Sequence, residues 1–354
     1  MKIALLTDTH WGVRSDNVSF LDNSKKFLDE VFFPTLEQLN INTVIHLGDL
    51  VDRRKYININ TANRLRQDFL DVLKDMNINA HFIMGNHDCY YKNNNNINAL
   101  TELIKDKYPF KLYTHDAEEV EFDHLPILIV PWISDHNIKQ VMEKINETKS
   151  QVCFGHFEIQ GFEMYKGSIV SHGTARDFFN KFDVLISGHY HHRSSDGHIF
   201  YLGSHAEFTW SDYNDDKGFH IFDTETRELT FIKNPFKMFR KIWYSDIEED
   251  FDYTTINYEQ YRGSIIKVII QNKTNPYVFD KFIECLENVN PIDLQIVEDH
   301  LNLNLEDDIN IVNEAESTLT IFKTYVDTTS FKGIDKGKLN NKLTQLYNRA
   351  LASE

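Results

Sequence analysis

Five short apolar runs within the first 191 residues each break off into a polar cluster, and this repeat constrains the fold more than any other feature of the chain. The runs occupy residues 2–7, 43–47, 80–84, 151–154 and 184–187. They lead into Asp8-Thr-His10, Gly48-Asp49, Gly85-Asn86-His87-Asp88, Gly155-His156 and Gly188-His189-Tyr-His191. Short β-branched and apolar runs bounded by such residues read as strands, and residues 127–130 and 199–202 add two more. Between them, Ala62, Leu65, Phe69, Val72, Leu73 and Met76 recur three or four apart, which predicts an amphipathic helix over 61–76. Residues 19–39 predict a second helix, kinked or divided at Pro34. The alternation argues an α/β layering. In such sheets, side chains from distant segments converge beyond the carboxyl ends of the strands. Glycine there lets the backbone turn sharply and approach a ligand closely. The five clusters are therefore expected to build one site.

The residue types in those clusters point to metal-assisted phosphoester chemistry. Two carboxylates, one carboxamide and four imidazoles are costly to bury together without a ligand. Divalent ions such as Mn²⁺ or Fe²⁺ accept mixed carboxylate and imidazole donors. An aspartate bridging two such ions holds them roughly 3.5–4 Å apart, a spacing suited to clamping a phosphoryl group and acidifying a water for in-line attack. The leaving oxygen then calls for a histidine that is not itself a ligand.

The rest of the chain sets the surroundings. After about residue 235 the pattern changes, and strands at 265–270 and 294–297 around a helix near 277–286 predict a small α+β domain. Residues 338–353 predict a helix with Leu339, Leu343, Leu346 and Ala350 on one face, and Leu319, Phe322 and Val326 are spaced similarly. Such terminal helices suit docking to a partner. Residues 93–96 read as a polar loop. At 41% hydrophobic and 26% charged, with no stretch long enough to span a membrane, the chain reads as a soluble globular protein. Three cysteines give no disulfide framework or zinc spacing, which implies a reducing cytoplasm, and Cys89 reads as a buried thiol. The net charge of −17 argues against a wholly basic nucleic-acid footprint. The charge is uneven, however: ten acidic residues and no Lys or Arg lie between Phe282 and Phe322, whereas 233–241 mixes cations with aromatics. Bound divalent ions would add positive charge where a phosphate must sit. His46, His81 and His300 read as structural, and His192 as a surface or supporting residue.

Taken as a set and in order, Asp8-x-His10, Gly48-Asp49-x-x-Asp52, Gly85-Asn86-His87-Asp88, Gly155-His156 and Gly188-His189-x-His191 resemble the five signatures of the calcineurin-like metallophosphoesterase superfamily. Asp8-Thr-His-Trp-Gly12 and Tyr201-Leu-Gly-Ser204 resemble its DNA double-strand-break repair branch, the SbcD-like nucleases and the small subunits of phage recombination endonucleases. Glu158, Tyr165-Lys-Gly167, Ser171-His-Gly173 and Lys217-Gly-Phe-His are closest to the phage version. The resemblance implies a layered sandwich of two mixed sheets flanked by helices over 1–235. It also implies a DNA-binding capping domain over 236–305, then a linker and C-terminal helices over 306–354 that bind an SMC-like ATPase. It implies two ions, Mn²⁺ by expectation, one held by Asp8, His10, Asp49 and His191 and the other by Asp49, Asn86, His156 and His189. His87 would assist the leaving group, with Asp88 accepting its other N–H. Archaeal and eukaryotic relatives carry a second catalytic histidine where this chain has Asp52, whereas SbcD-like and phage members also depart there, so activity is not excluded and Asp52 and Arg53 receive only supporting parts.

The expected activity is a Mn²⁺-dependent 3′–5′ exonuclease and single-strand endonuclease, working as a homodimer with its ATPase in DNA end processing, in a bacterial host cytoplasm if phage-encoded. Two alternatives stay open on the residues alone. Gly48-Asp-Leu-Val-Asp-Arg53 echoes protein and small-molecule phosphatases, and a largely scaffolding subunit would keep the fold without the chemistry.

Overall fold

The computed structural model describes residues 1–247 and 251–298, together with Lys336, Gly337, Leu339 and Lys342, which are helical. His300, the segment carrying Leu319, Phe322 and Val326, and the rest of the 338–353 helix lie outside the described residues. No helix among the described residues is long and apolar enough to cross a membrane.

Two six-stranded mixed sheets form the main body. The first runs Leu229–Lys233, Gly218–Asp223, Lys2–Leu6, Thr43–His46, Asn79–Ile83 and Lys111–Tyr113. The second runs Ser194–Ser195, Ile199–Tyr201, Val184–Gly188, Val152–His156, Leu125–Val130 and Glu118–Phe122. Their inner strands are parallel, with antiparallel strands at the margins. Alternation along each strand explains why both sheets are apolar on both faces. Ile3, Leu5, Ile45 and Ile83 meet Ile129, Val152, Phe154 and Ile186 between the sheets. Ala4, Leu6, Val44 and Phe82 turn outward under helices carrying Phe27, Phe32, Phe69 and Leu73. Leu128, Val130, Cys153 and Leu185 pack under Val141 and Ile145 of the Ile138–Glu147 helix. The α/β sandwich expected from the resemblance is the architecture observed.

Both long helices form. Pro34 lies in the first turn of Phe33–Gln38, directly after a π-helical turn at Leu28–Phe32, so the chain changes pitch there without leaving the helix. The 61–76 pattern is a helix over 59–75, again with a π-helical turn, Arg66–Leu70.

The expectation for 93–96 is corrected. Asn94–Asn98 is a strand, paired antiparallel with Cys89–Tyr91. Asn95 is buried and its amide donates to the carbonyls of Thr114 and Trp132. Low complexity suggested a loop, but buried carbonyls need donors and a carboxamide supplies two of them.

Beyond residue 238 comes a three-stranded parallel sheet, Phe239–Ser245, Ile265–Asn272 and Asp293–Glu298, with the Pro276–Asn288 helix on one face. Asn275 caps that helix by accepting from the N–H groups of Tyr277 and Val278, and Pro276 occupies its first turn. Tyr244, Ile266, Val268, Phe279, Phe282 and Leu286 form the core. The two strands read from sequence are present; the Phe239–Ser245 strand was not foreseen. Phe239 and Ile265 pack with Phe20, Ala206 and Phe208, joining this sheet to the main body.

Candidate metal centre

The parallel strands Lys2–Leu6, Thr43–His46, Asn79–Ile83, Val152–His156 and Val184–Gly188 deliver all five polar clusters to one end of the sandwich. Turning so abruptly costs backbone strain. Asp8, His10, Asp49 and His189 all adopt positive φ, at 50°, 44°, 54° and 91°, a conformation non-glycine residues rarely hold without a functional reason. Packing is tight enough that a Cβ on Gly85 would stand 2.2 Å from both the Asp49 backbone nitrogen and its Oδ1.

Two groups of donors meet at Asp49. On one side, His10 Nε2 lies 3.0 Å from His191 Nε2, 3.7 Å from Asp49 Oδ2 and 3.9 Å from Asp8 Oδ1. On the other, His156 Nε2 lies 3.4 Å from Asp49 Oδ2 and 3.1 Å from Asn86 Oδ1, and Asn86 Oδ1 is 2.9 Å from His189 Nδ1. Every one of these seven side chains is buried or nearly so. The groups Asp8–His10–His191 and Asp49–His156–His189 each gather ligand atoms within 4.8 Å, and so does His10–Asp49–His87.

His156 indicates what such a centre can hold. Its Nδ1–H donates to the Leu47 carbonyl at 2.7 Å, and a carbonyl can only accept. Nε2 then confronts the oxygens of Asn86 and Asp49, two further acceptors. Only positive charge at that point, a second proton or a metal ion, satisfies all three contacts. Electrostatics agree. Burial alone would lower the pKa of His156 and His10, but Asp49 and then Asp8 outweigh it at His156, and Asp52, then Asp49 and Asp8, at His10, so both rise to about 9. Burial acts to raise Asp49, but His156 and His87 outweigh it and hold it well below the usual carboxylate range. Asp8 is raised, chiefly by burial. A donor set of this kind fits divalent ions of intermediate hardness.

The remaining expected residues divide. His87 stands beside the centre, its ring 4.8 Å from that of His10 and its backbone N–H donating to Asp49 Oδ1 at 2.7 Å. Its pKa is lowered by burial. The expected bond from His87 to Asp88 is replaced by another: His87 Nδ1 donates to the Asp52 backbone carbonyl at 2.6 Å. Asp88 points the other way, accepting from the N–H groups of Gly85 and Val51 and so tying two ligand-bearing turns together. Burial, then Asp49, pushes its pKa up to about 7. Asp52 has a second contact, its Oδ1 lying 3.4 Å from His10 Nδ1. Asp52 thus braces two histidines. Arg53 is not brought into the cluster; it bonds to Asp16 at 2.6 Å and lies over Tyr56. Cys89 is a buried thiol against the Gly85 carbonyl, and His192 pairs with Asp215 outside the centre, both as expected. His46 and His81 bond to Thr9 and Tyr113.

Other supports were not read as site residues from the sequence. Lys217, fully buried, donates to the His191 carbonyl at 2.7 Å while ion-paired with Asp212 and Asp215. Glu158 sits 3.9 Å from His189 Nε2 and 3.2 Å from His172. Trp132 packs against His156 and His189. Lys217 and Glu158 fall in segments of phage-like resemblance, which was the available hint, but their roles depend on the tertiary contact.

Comparison with known proteins agrees with this geometry. The calcineurin-like phosphoesterase family profile matches residues 1–193. Exonuclease subunit 1 of Enterobacteria phage T4 is 31% identical over 357 residues, covering 98% of this chain and 98% of that protein. The SbcD chain of the SbcCD nuclease from Staphylococcus saprophyticus is 25% identical over 268 residues, covering 68% of this chain and 70% of its own length. Its counterpart in Staphylococcus epidermidis is 25% identical over 312 residues, covering 79% and 78%.

Proposed function

The chain belongs to the calcineurin-like phosphoesterase family, and from that premise we propose that it is the nuclease subunit of a DNA-processing complex, a Mn²⁺-dependent 3′–5′ exonuclease and single-strand endonuclease. The observation that carries the reading is the convergence of six donor side chains around Asp49, with His156 held so that its free nitrogen demands a cation. Asp8, His10, Asp49 and His191 would hold one ion, and Asp49, Asn86, His156 and His189 the other. When bound, such a pair supplies Lewis-acid activation of the phosphoryl group and of a water. The protein's own part is positional and protonic. The Asp52 carbonyl holds the Nδ1–H of His87, so Nε2 is the nitrogen that exchanges protons; it takes one up from solvent, forming the imidazolium, and hands that proton to the leaving oxygen. Leu47 and Asp52 hold His156 and His10 from behind.

The substrate and partners are inferred from the relatives, which are named as exonuclease and nuclease subunits. We assign 1–235 to the nuclease domain, 236–305 to a DNA-binding cap, and 306–354 to binding an SMC-like ATPase. We infer a homodimer through the apolar hollow lined by Tyr56, Ile57, Ile97 and Leu103, where Tyr56 is 64% and Ile97 47% exposed. A phosphomonoesterase reading gains nothing from Arg53, which is engaged by Asp16. The test is degradation of end-labelled single- and double-stranded DNA with Mn²⁺, against hydrolysis of an aryl phosphomonoester. Metal-dependent cleavage from 3′ ends supports the reading; faster turnover of the monoester than of DNA overturns it.

A further inference from the structure

Of the four side chains assigned to the first ion, Asp8, His10 and Asp49 follow strands of one sheet, and His191 alone follows a strand of the other. His191 also stands three residues past the end of its strand, Val184–Gly188. Its place against the other three therefore depends on what holds it from behind. Its backbone carbonyl lies in a seat of three parts. The Ser204 N–H donates to it at 3.1 Å and the Lys217 ammonium at 2.7 Å. Gly203 forms the wall, since its φ is 74° and a Cβ there would stand 2.9 Å from the same oxygen. Gly203 and Ser204 end the Tyr201-Leu-Gly-Ser204 segment, which is conspicuous in the sequence yet supplies no donor to the cluster.

Lys217 reaches this seat from the opposite sheet. It directly precedes the Gly218–Asp223 strand, which pairs antiparallel with Lys2–Leu6, so it starts beside the strand end that leads to Asp8. The Asn234 N–H fixes the Lys217 carbonyl at 2.7 Å. The Lys217 side chain is ion-paired at 2.8 Å with Asp212 and at 2.9 Å with Asp215. Asp215 also accepts from His192 Nδ1 at 3.0 Å, so residues 191 and 192 are both gripped. Stability does not explain the arrangement, because buried ion clusters are often no more stable than apolar residues of similar volume. Charge does not explain it either, because a cation beside a metal centre works against metal binding. Direction does. Three oxygens lie within 2.9 Å of an ammonium that has three donors, and one of them is the carbonyl of a ligand. Resting on the two-ion reading above, we propose that Lys217, with the seat made by Gly203 and Ser204, is a positioning residue. It sets His191 against Asp8, His10 and Asp49, and so tunes the affinity of one ion and not of the other.

The experiment titrates Mn²⁺ into the full, metal-stripped chain by calorimetry, with the melting temperature of each variant recorded. The native chain should take up two equivalents. Lys217→Met should weaken one by about 10–100-fold, the usual effect of losing a partner behind a ligating histidine. The other should stay within about twofold. Removing the cation alone strands two buried carboxylates, so Lys217→Met/Asp212→Asn/Asp215→Asn is measured beside it. That variant should melt near the native temperature and show the same selective loss. A cycle with two ligand variants identifies the route. Lys217→Met should add less than about twofold in a His191→Ala background, where the residue it seats has lost its imidazole, and keep its full effect beside Asn86→Ala. If the native chain binds two equivalents and His191→Ala loses one, while both Lys217 variants bind as the native chain does, the seat is wrong and the metal centre stands. Equal weakening of both ions, or a full effect beside His191→Ala, makes Lys217 merely structural and overturns the proposal. Failure of both Lys217 variants to fold does the same. If the native chain takes up no Mn²⁺, or His191→Ala keeps both equivalents, the two-ion reading itself falls.

Discussion

At the scale of single residues, variants at His87 and Asp49 test the proposed proton transfer apart from the proposed metal binding. His87 reaches the centre with Nδ1 committed to a backbone carbonyl, so its loss should leave the seven donors in place. His87→Ala is expected to cut DNA hydrolysis by about 10²–10⁴-fold, the usual range for a general acid, while titration calorimetry still finds two Mn²⁺ equivalents. Asp49→Ala should lose both, because both donor groups meet at that carboxylate. An equally fast His87→Ala enzyme would remove it from the mechanism. A different histidine contributes to acid stability. His220 is buried against Phe231, and burial, then Arg193, lowers its pKa from 6.5 to about 3. Below pH 6.5 the unfolded chain takes up a proton that the folded chain refuses. Stability from this group is therefore complete above 6.5 and is lost as pH falls toward 3, by at most about 1.4 kcal/mol per pH unit. Urea midpoints of His220→Phe should accordingly fall less than native ones between about pH 7 and pH 4.5. Parallel declines in the two proteins would show that His220 is not a contributor.

At the scale of elements, the turns matter more than the strands that carry them. Asp88 bridges the N–H groups of Val51 and Gly85, and Asn95 bridges the carbonyls of Thr114 and Trp132, so polar side chains fasten loops that no hydrophobic pattern specifies. Asn95→Ala removes a donor from the half-buried Thr114 carbonyl and one of two donors from the Trp132 carbonyl, and should cost about 1–3 kcal/mol. Asn96, the next residue along and exposed, should tolerate alanine within about 0.5 kcal/mol. Denaturant unfolding of the pair checks this: equal midpoints would mean the strand is held by its backbone alone. The same comparison explains a misreading. Four consecutive asparagines look interchangeable in sequence, and only burial distinguishes Asn95 from its neighbours.

At the scale of the whole molecule, the predictions concern assembly. Truncation after Lys336 should leave Mn²⁺-dependent phosphodiesterase activity intact and abolish association with the ATPase subunit in a pull-down. Ile97→Asp should move the chain from dimer to monomer in sedimentation, without loss of that activity. Retained association in the first case, or an unchanged dimer in the second, would refute the corresponding surface.

The sequence by itself determined the α/β layering, the strands that carry the five polar clusters and the identities of the candidate ligands. Period-two and near-3.6 patterns report which faces are buried, and Gly-flanked Asp, His and Asn residues after strands report where polar groups must converge. It did not determine how those groups are braced. Asp88 was expected behind His87, but the backbone carbonyl of Asp52 stands there, and a carbonyl's direction follows from chain geometry rather than residue type. Lys217 beneath His191 likewise depends on turns joining segments far apart in the chain. Residue types carry chemistry and local pattern; which of them touch is decided only when the sheets close against each other.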